Sequence, residues 1–387
     1  MAGAGKHIGL DAHLLSLRQD YRAAGVSRYI DRLLRHLPDV EPTHRYTAFL
    51  GFPCAGLPPR VRPWVSAWPT QRPAARILWE QLAGPLAARR AGLDLWHSLV
   101  NVLPLALAGP AVVTIQDLSF VVYPERFRTG NRLYNRLFVR LSAQRARHVI
   151  VTSASTQRDL VQHYRLPEAK ISVTHLAADE DFRPLEDRAA VAEFRRVKGL
   201  PDRLILYVGT IEPRKNLPRL IEAYGQLCRG EGIPHHLVIG GGKGWMYDQV
   251  YARVQELGLQ DRVHFPGFIP QEELVWWYNA AEIMAYPSLY EGFGLPPLEA
   301  MACGTPAVVS RISSLPEIVG DAALQVDPYD VGELAEALHR LAGEAALRAD
   351  QRAAGLARAA QFSWPRTAQQ TVAIYHRLFD DERSGHV

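Results

Sequence analysis

Two glutamates, Glu291 and Glu299, stand eight positions apart in SLYEGFGLPPLEAMACGTP, residues 288–306, with two glycines, an aromatic residue and a Pro-Pro pair between them. The preceding IMAYPS reads as a strand and LYEGFG as a loop. Pro296 and Pro297 then fit the first turn of a helix, where no amide hydrogen is lost. Gly304 and Pro306 end that helix after about two turns. Gly292 and Gly294 let the backbone, with Phe293 and Leu295 in the same stretch, come close to a ligand, and the helix amides favour an anion there. Glu299, placed in the first turn, is expected to reach a hydroxyl pair, and Glu291 to accept hydrogen bonds from another polyol. A second stretch, VGTIEPRKN, puts Gly209 and Thr210 at a strand's carboxyl end and Arg214 and Lys215 just before a helix. Two cations beside free helix amides favour a diphosphate. A ligand with hydroxyls on both sides of a diphosphate has the layout of a nucleotide sugar.

Rival readings of these residues exist. The two carboxylates could be a glycosidase acid/base couple, but helical spacing beside a glycine cradle gives no reason to place them on opposite sides of a glycosidic bond. A dinucleotide oxidoreductase is disfavoured, because GGGKG at 240–244 lacks the G-x-G-x-x-G spacing. Arg214 and Lys215 could also be ordinary loop charges.

The elements that must position these residues alternate between strand and helix. KHIGLDA, RYTAFLG, AVVTIQDLSF and RHVIVTSAS read as strands in the first half, the last running into a helix that Ser155 could cap. In the second half RLILYVG, HLVIGGG, RVHFPGF, EIMAYPS, TPAVVS and ALQVDP read as strands. Asn216 is placed as the cap of a helix with an apolar stripe of Leu217, Leu220, Ile221, Tyr224 and Leu227, and Gly258 as the residue just past another helix. The Trp276-Trp277 pair is expected in the core. Val/Ile/Leu strands alternating with helices imply parallel sheets covered on both faces. A chain of 387 residues exceeds the roughly 250–300 at which one core stops growing, so two domains are expected. Charges and prolines in residues 179–201 mark the divide, and two doubly wound domains would face a ligand cleft.

Apolar residues at 48% and charged residues at 22% describe an ordinary globular chain. The N-terminus has no export-signal pattern, and no run approaches the roughly 18 apolar residues of a membrane span. Cys54, Cys228 and Cys303 are far apart and suggest three reduced thiols rather than disulfides or a zinc cluster. Residues 1–180 carry 23 Lys and Arg against 13 Asp and Glu, and the remainder 21 against 27. Arg128, Arg132, Arg136 and Arg140 fall on one helical face that could meet anionic lipid or a phosphorylated acceptor, or be a solvated surface. No nucleic-acid motif is present.

EGFGLPPLE resembles the signature of the retaining GT-B glycosyltransferases of family 4, two glutamates separated by seven residues. VGTIEPRKNLPRLIEAY, VIGGGKGW, FPGFIP and FSWPRTAQQTVAIYHRLF are similar to that family in order and spacing. So are GLDAHLL, AGVSRYIDRLLRHL, DLWHSL, TIQDLSFVVYPERF and VIVTSASTQRDL in the first half. The resemblance implies an α/β, GT-B fold of two Rossmann-like doubly wound domains. It implies that Arg214 and Lys215 bind the donor diphosphate, helped by the amides of Gly294 and Leu295, that Glu299 holds the ribose and that Glu291 holds the transferred sugar. Phe268 and Ile269 would lie near the base, and Gly25 would approach the diphosphate from the other domain. No metal or cofactor is implied, which fits the absence of a clear D-x-D metal motif. Retention would come from same-face attack, with a donor phosphate oxygen taking the acceptor's proton. Relatives often carry His-Asp where this chain has Gln116-Asp117. Glutamine can bond a sugar hydroxyl but cannot carry a proton. His97 is a candidate substitute, but its leading reading is a plain strand-end histidine.

The expectation is therefore an enzyme that transfers a hexose from a nucleotide diphosphate sugar, GDP-mannose ahead of UDP-glucose, to a hydroxyl of a glycan or lipid-linked acceptor. A nucleotide-sugar epimerase or hydrolase and a silent binding partner are the alternatives. The domains are placed at residues 1–185, for the acceptor, and 186–365, for the nucleotide sugar, with 366–387 a helix returning to the first. A cytoplasmic location, peripheral at the inner membrane face through contact with anionic lipid, is expected.

Overall fold

The apolar runs form strands buried on both faces, as in AVVTI at 111–115, where every residue is buried. They are arranged in two parallel sheets in the computed structural model, which describes residues 5–16, 25–124, 129–230 and 232–383. The first sheet holds β1 (His7–Asp11), β2 (Arg45–Leu50), β3 (Val61–Val65), β4 (Leu95–Ser98), β5 (Ala111–Ile115), β6 (His148–Val151) and β7 (Ile171–Val173) in the order β3-β2-β1-β4-β5-β6-β7. The second holds β8 (Leu204–Val208), β9 (His236–Gly240), β10 (Val263–Gly267), β11 (Ile283–Tyr286), β12 (Ala307–Ser310) and β13 (Leu324–Val326) in the order β10-β9-β8-β11-β12-β13. The order reverses between β1 and β4 in one sheet and between β8 and β11 in the other. At such switch points the loops leaving the strands' carboxyl ends diverge and open a crevice for a ligand.

Each sheet belongs to its own compact unit. Ala177–Ser363 form one, and the described residues up to Leu176, together with those from Trp364 onward, form the other. The sequence places this divide at residue 186 and the return at 366. The C-terminal helix Trp364–Arg383 packs on the helix Gly25–Val40, so its apolar face completes the first unit's core. It is tied there by Thr367 Oγ1, which donates to His175 O at 2.6 Å.

Local details depart from the sequence reading. The helix Ala154–Tyr164 is capped by Ser153, whose Oγ accepts from Thr156 N, and not by Ser155, which lies inside the first turn. Trp277 is in the core, whereas Trp276 is half-buried and stacks on Phe194 at 5.9 Å. Gly258 does stand just past the helix Asp248–Glu256, at φ +66°. The three cysteines are free.

Candidate functional site

The crevice of the second unit is built from the loops after β8 and β11, the two strands at its switch point. Val208 ends β8, and Gly209 donates its amide to Gly240 O at 2.9 Å. This approach requires glycine at 241, whose φ is +156° and where a Cβ would lie 1.9 Å from Gly209 O. The glycines of GGGKG therefore seat the Thr210 loop rather than cradle a dinucleotide. A single turn, Pro213–Lys215, follows and leads into the helix Leu217–Arg229.

Asn216 stands where a cap was expected but does other work. It is left-handed, at φ +61°, and its side chain makes no capping bond. Its Nδ2 donates instead to Pro287 O at 3.1 Å and Pro328 O at 2.7 Å. One amide group thus ties together the chain following β8, β11 and β13.

That tie holds two cations against one carboxylate. Lys215 Nζ donates to Glu291 Oε1 at 2.6 Å and to the Tyr286 hydroxyl at 2.8 Å. Arg214 Nη1 donates to Glu291 Oε2 at 2.9 Å and Tyr290 O at 2.7 Å, while its Nη2 donates to Glu212 Oε1 at 2.8 Å. Lys215 and Glu291 are both buried. Burial alone would raise the Glu291 pKa, but the charges of Arg214 and Lys215 overcome it and bring it down to about 2. Burial pushes the Lys215 ammonium down, Arg214 adds to that, and Glu291 opposes both. Glu291 is thus a carboxylate at any working pH, held by the cations expected to meet a diphosphate.

The loop carrying Glu291 is fixed by residues that the sequence reading missed. Glu291 N donates to Ser313 Oγ at 3.0 Å, Ser313 Oγ donates to Glu291 O at 2.7 Å, and Ser314 Oγ lies 2.7 Å from Phe293 O. The only sequence signal was a pair of hydroxyls in RISSLPE, between a strand and a proline. Gly294 follows at φ +111°, a conformation open to glycine, and begins the helix Leu295–Ala302. Glu299 lies in the second turn of that helix rather than the first. It is 2% exposed rather than at a rim, and its Oε2 accepts from the Tyr278 hydroxyl at 2.9 Å. Phe268 is exposed, whereas Ile269 is buried and fills the space over Gly240, where a Cβ would meet its Cδ1 at 2.3 Å.

The remaining candidates belong to the first unit. Gln116 follows β5 and is bound on three sides: its amide nitrogen donates to Asn101 Oδ1 at 2.9 Å, its Nε2 lies 3.4 Å from Leu99 O, and its carbonyl accepts from Thr152 Oγ1 at 3.1 Å. Asp117 Oδ1 accepts from Ser119 N and Ser119 Oγ at 2.9 and 2.6 Å, a local turn bond. Gly25 opens the helix Gly25–Val40. His97 does not substitute for the histidine of relatives. It is fully buried, its ring nitrogens lie 2.6 Å from the Tyr375 hydroxyl and 2.8 Å from Thr114 Oγ1, and burial lowers its pKa to about 3. The sequence reading also missed a buried group of titratable side chains at the carboxyl end of β1. His13 Nδ1 lies 2.8 Å from Asp11 Oδ1, and Glu80 Oε1 lies 3.3 Å from Arg76 Nε. Burial, then the charge of Asp11, raises the Glu80 pKa to about 8.

Two parallel α/β sheets, one with a cation and carboxylate cluster at its switch point, are the architecture of a GT-B glycosyltransferase. Residues 191–358 match the family model described as glycosyl transferases group 1, and residues 23–182 match that of glycosyltransferase family 4. The O-antigen chain mannosyltransferase B of Escherichia coli is 34% identical over 268 residues, 69% of this chain and 70% of that protein. The MMP alpha-(1->4)-mannosyltransferase of Mycolicibacterium hassiacum is 29% identical across 94% of this chain and 97% of its own length. Sucrose-phosphate synthase from Thermosynechococcus elongatus superposes with a TM-score of 0.78 at 25% identity, over 97% of this chain and 99% of that one. The chain belongs to the family 4 glycosyltransferases, and it is an enzyme of glycosyl transfer from a nucleotide sugar.

Proposed function

We propose that the enzyme transfers mannose, with retention and without a metal ion, from a nucleotide diphosphate sugar to a hydroxyl of a glycan or lipid-linked acceptor. The observation that carries this reading is the meeting of Arg214, Lys215 and Glu291 beside the start of the helix Leu295–Ala302. Two cations and the helix amides match the charge of a diphosphate leaving group, which is the work a divalent ion does elsewhere. The donor diphosphate takes over Arg214 and Lys215, and Glu291 turns from the cations to the hydroxyls of the sugar. In the transfer step the bond from the sugar's anomeric carbon to the phosphate oxygen breaks and the bond to the acceptor oxygen forms on the same face. The acceptor's proton passes to a donor phosphate oxygen. Buried Glu299 bonds the ribose, and exposed Phe268 flanks the base.

The two mannosyltransferases among the relatives support mannose as the transferred sugar, and GDP-mannose is proposed ahead of UDP-glucose as donor. The first unit takes the acceptor and rests on anionic lipid at the inner membrane face. Leu133 and Leu137, 67% and 50% exposed, support this, together with exposed Arg136 and Arg140 on the helix Thr129–Arg145. Arg128 lies outside the described residues, and Arg132 reaches back to Pro124 O at 3.5 Å. No helix among the described residues is long and apolar enough to cross a membrane.

A panel of GDP-, UDP- and ADP-sugars, assayed for nucleotide release with a polyprenyl-linked glycan acceptor, tests the reading. The expected result is acceptor-dependent release from GDP-mannose, unchanged by chelator, with a product of retained configuration by NMR. Acceptor-independent release of free sugar would indicate a hydrolase instead.

A further inference from the structure

The second unit holds another cavity, of about 290 Å³, at the opposite edge of its sheet from the Arg214–Glu291 cluster. Its lining includes Glu282, just before β11, and Pro306, just before β12. The cluster lies beyond the carboxyl ends of β8 and β11, so the two sites are separated by the length of the strands. Four arginines, at 188, 195, 348 and 352, line the cavity. No carboxylate among the described residues is ion-paired with any of the four. Glu282, the one acid in the lining, is engaged by Arg203 Nη2 and His235 Nε2, each at 2.9 Å.

Three of these arginines are held in place by backbone carbonyls. Arg195 Nη2 donates to Ala280 O at 3.2 Å, Arg348 Nη1 to Ala342 O at 2.9 Å, and Arg352 Nη1 to Gly304 O at 2.9 Å. Gly304 makes room for Arg352, because a Cβ there would lie 2.7 Å from its Nη1. Each guanidinium has five N–H donors in a fixed fork, so these bonds leave most of them unused. The Nε of Arg195 is buried without a partner. Like charges gathered at one concavity repel one another and raise the local concentration of anions. Arginine forks match phosphate oxygens two at a time.

We propose that this cavity is a second anion site, for a small ligand bearing a diphosphate or more than one phosphate group, distinct from the sugar donor's. The helix Leu295–Ala302 joins the two places: Gly294 at its start lies in the Glu291 loop, and Cys303 and Gly304 past its end line the cavity.

Isothermal titration of the full chain with inorganic pyrophosphate, free of divalent cations, tests the proposal. Two binding events are expected, one at Arg214 and Lys215 and one here. Arg188→Glu alters a side chain that is exposed and makes no carbonyl contact, so folding is preserved, and it should weaken the second event about tenfold or more. Arg352→Gln should do the same, and Arg214→Ala should leave that event intact. Inorganic phosphate, which bridges fewer guanidinium groups, should bind there more weakly. A single event sensitive to Arg188→Glu and not to Arg214→Ala also supports the site, even if the donor loop takes no pyrophosphate. No binding, or binding abolished by Arg214→Ala and indifferent to Arg188→Glu, overturns it and leaves the arginines as caps on carbonyl groups.

Discussion

Lys215 Nζ and Glu291 Oε1 lie 2.6 Å apart with both side chains more than nine-tenths buried, and Arg214 holds the other oxygen of the same carboxylate. A buried pair of this kind is a weak source of stability, because desolvation offsets the attraction. Its value lies in keeping three charged groups ordered in a place where a polyanionic ligand can exchange with the carboxylate. Under the proposed function, binding the donor is then a trade of one anion for another rather than the assembly of a site.

Glu291→Gln follows from that trade. Glutamine keeps the shape and one acceptor but withdraws the charge that bonds a sugar hydroxyl strongly. A charged hydrogen bond is worth about 1.5–3 kcal/mol, so transfer should fall by about 10- to 150-fold. Affinity for the free nucleoside diphosphate should hold or rise, since Arg214 and Lys215 lose a competitor. Steady-state rates and calorimetric nucleotide binding check this, and a parallel loss of both would refute the exchange.

Glu299 should behave in the opposite way. It is fixed on a helix by the Tyr278 hydroxyl, which donates to its Oε2 at 2.9 Å. Glu299→Gln should weaken nucleotide binding by about tenfold, the cost of one charged hydrogen bond, and change the rate at saturating donor little. Tyr278→Phe, which removes only the orienting bond, should have a smaller effect of the same kind. If Glu299→Gln lowers the saturated rate as strongly as Glu291→Gln does, the two carboxylates do not divide the work.

Asn216 offers a separation of backbone from side chain. Asn216→Ala replaces a residue that tolerates the left-handed region with one that does so less readily, and strips two buried carbonyls of their donor. Added strain of at most about 1–2 kcal/mol and an unmet carbonyl of about 1–3 kcal/mol should together lower the denaturation midpoint markedly. Asn216→Gly relieves the strain and keeps the second loss, so it should fall between wild type and alanine. Chemical denaturation of the three proteins checks the order, and equal midpoints for glycine and alanine would remove the backbone part of the account.

Much of this site is legible in the chain, and what is not has identifiable causes. The glycines, the proline pair and the position of Arg214 and Lys215 are local features, and local spacing places them. The pairing of Lys215 with Glu291 spans 76 residues and depends on β8 and β11 being neighbours, which strand periodicity does not reveal. Ser313 and Ser314 act through hydroxyl bonds to a loop 21–23 residues away, with no pattern of their own. The pattern places Glu299 one turn too early: the helix begins at Leu295, so its carboxylate faces Tyr278 instead of a rim. The strand β3, VRPWV, escaped because an edge strand carrying Pro63 and exposed side chains shows no apolar run. His97 reads foremost as a plain strand-end histidine, and so it stands, but its partner Tyr375, 278 residues away, is beyond local pattern.

Glu80 and Glu291 should give the stability curve two limbs of opposite sign. Glu291 has its folded pKa lowered from 4.5 to about 2, so it stabilises the fold above pH 4.5, and that contribution is lost as pH falls toward 2. Glu80 has its folded pKa raised from 4.5 to about 8, by burial and then by Asp11, with Arg76 opposing. Its protonated form favours the fold, so its contribution is fully present below pH 4.5 and is lost as pH climbs through 8. Even one effective unit of such a difference is about 1.4 kcal/mol. Glu80→Gln, which imitates the protonated carboxyl, should therefore flatten the loss between pH 4.5 and 8 and leave the acid limb in place. Glu291→Gln should flatten the acid limb and leave the other. Denaturation midpoints measured from pH 3 to 9 decide the matter: a wild-type alkaline slope that survives Glu80→Gln unchanged would mean that Glu80 is ionised in the folded protein.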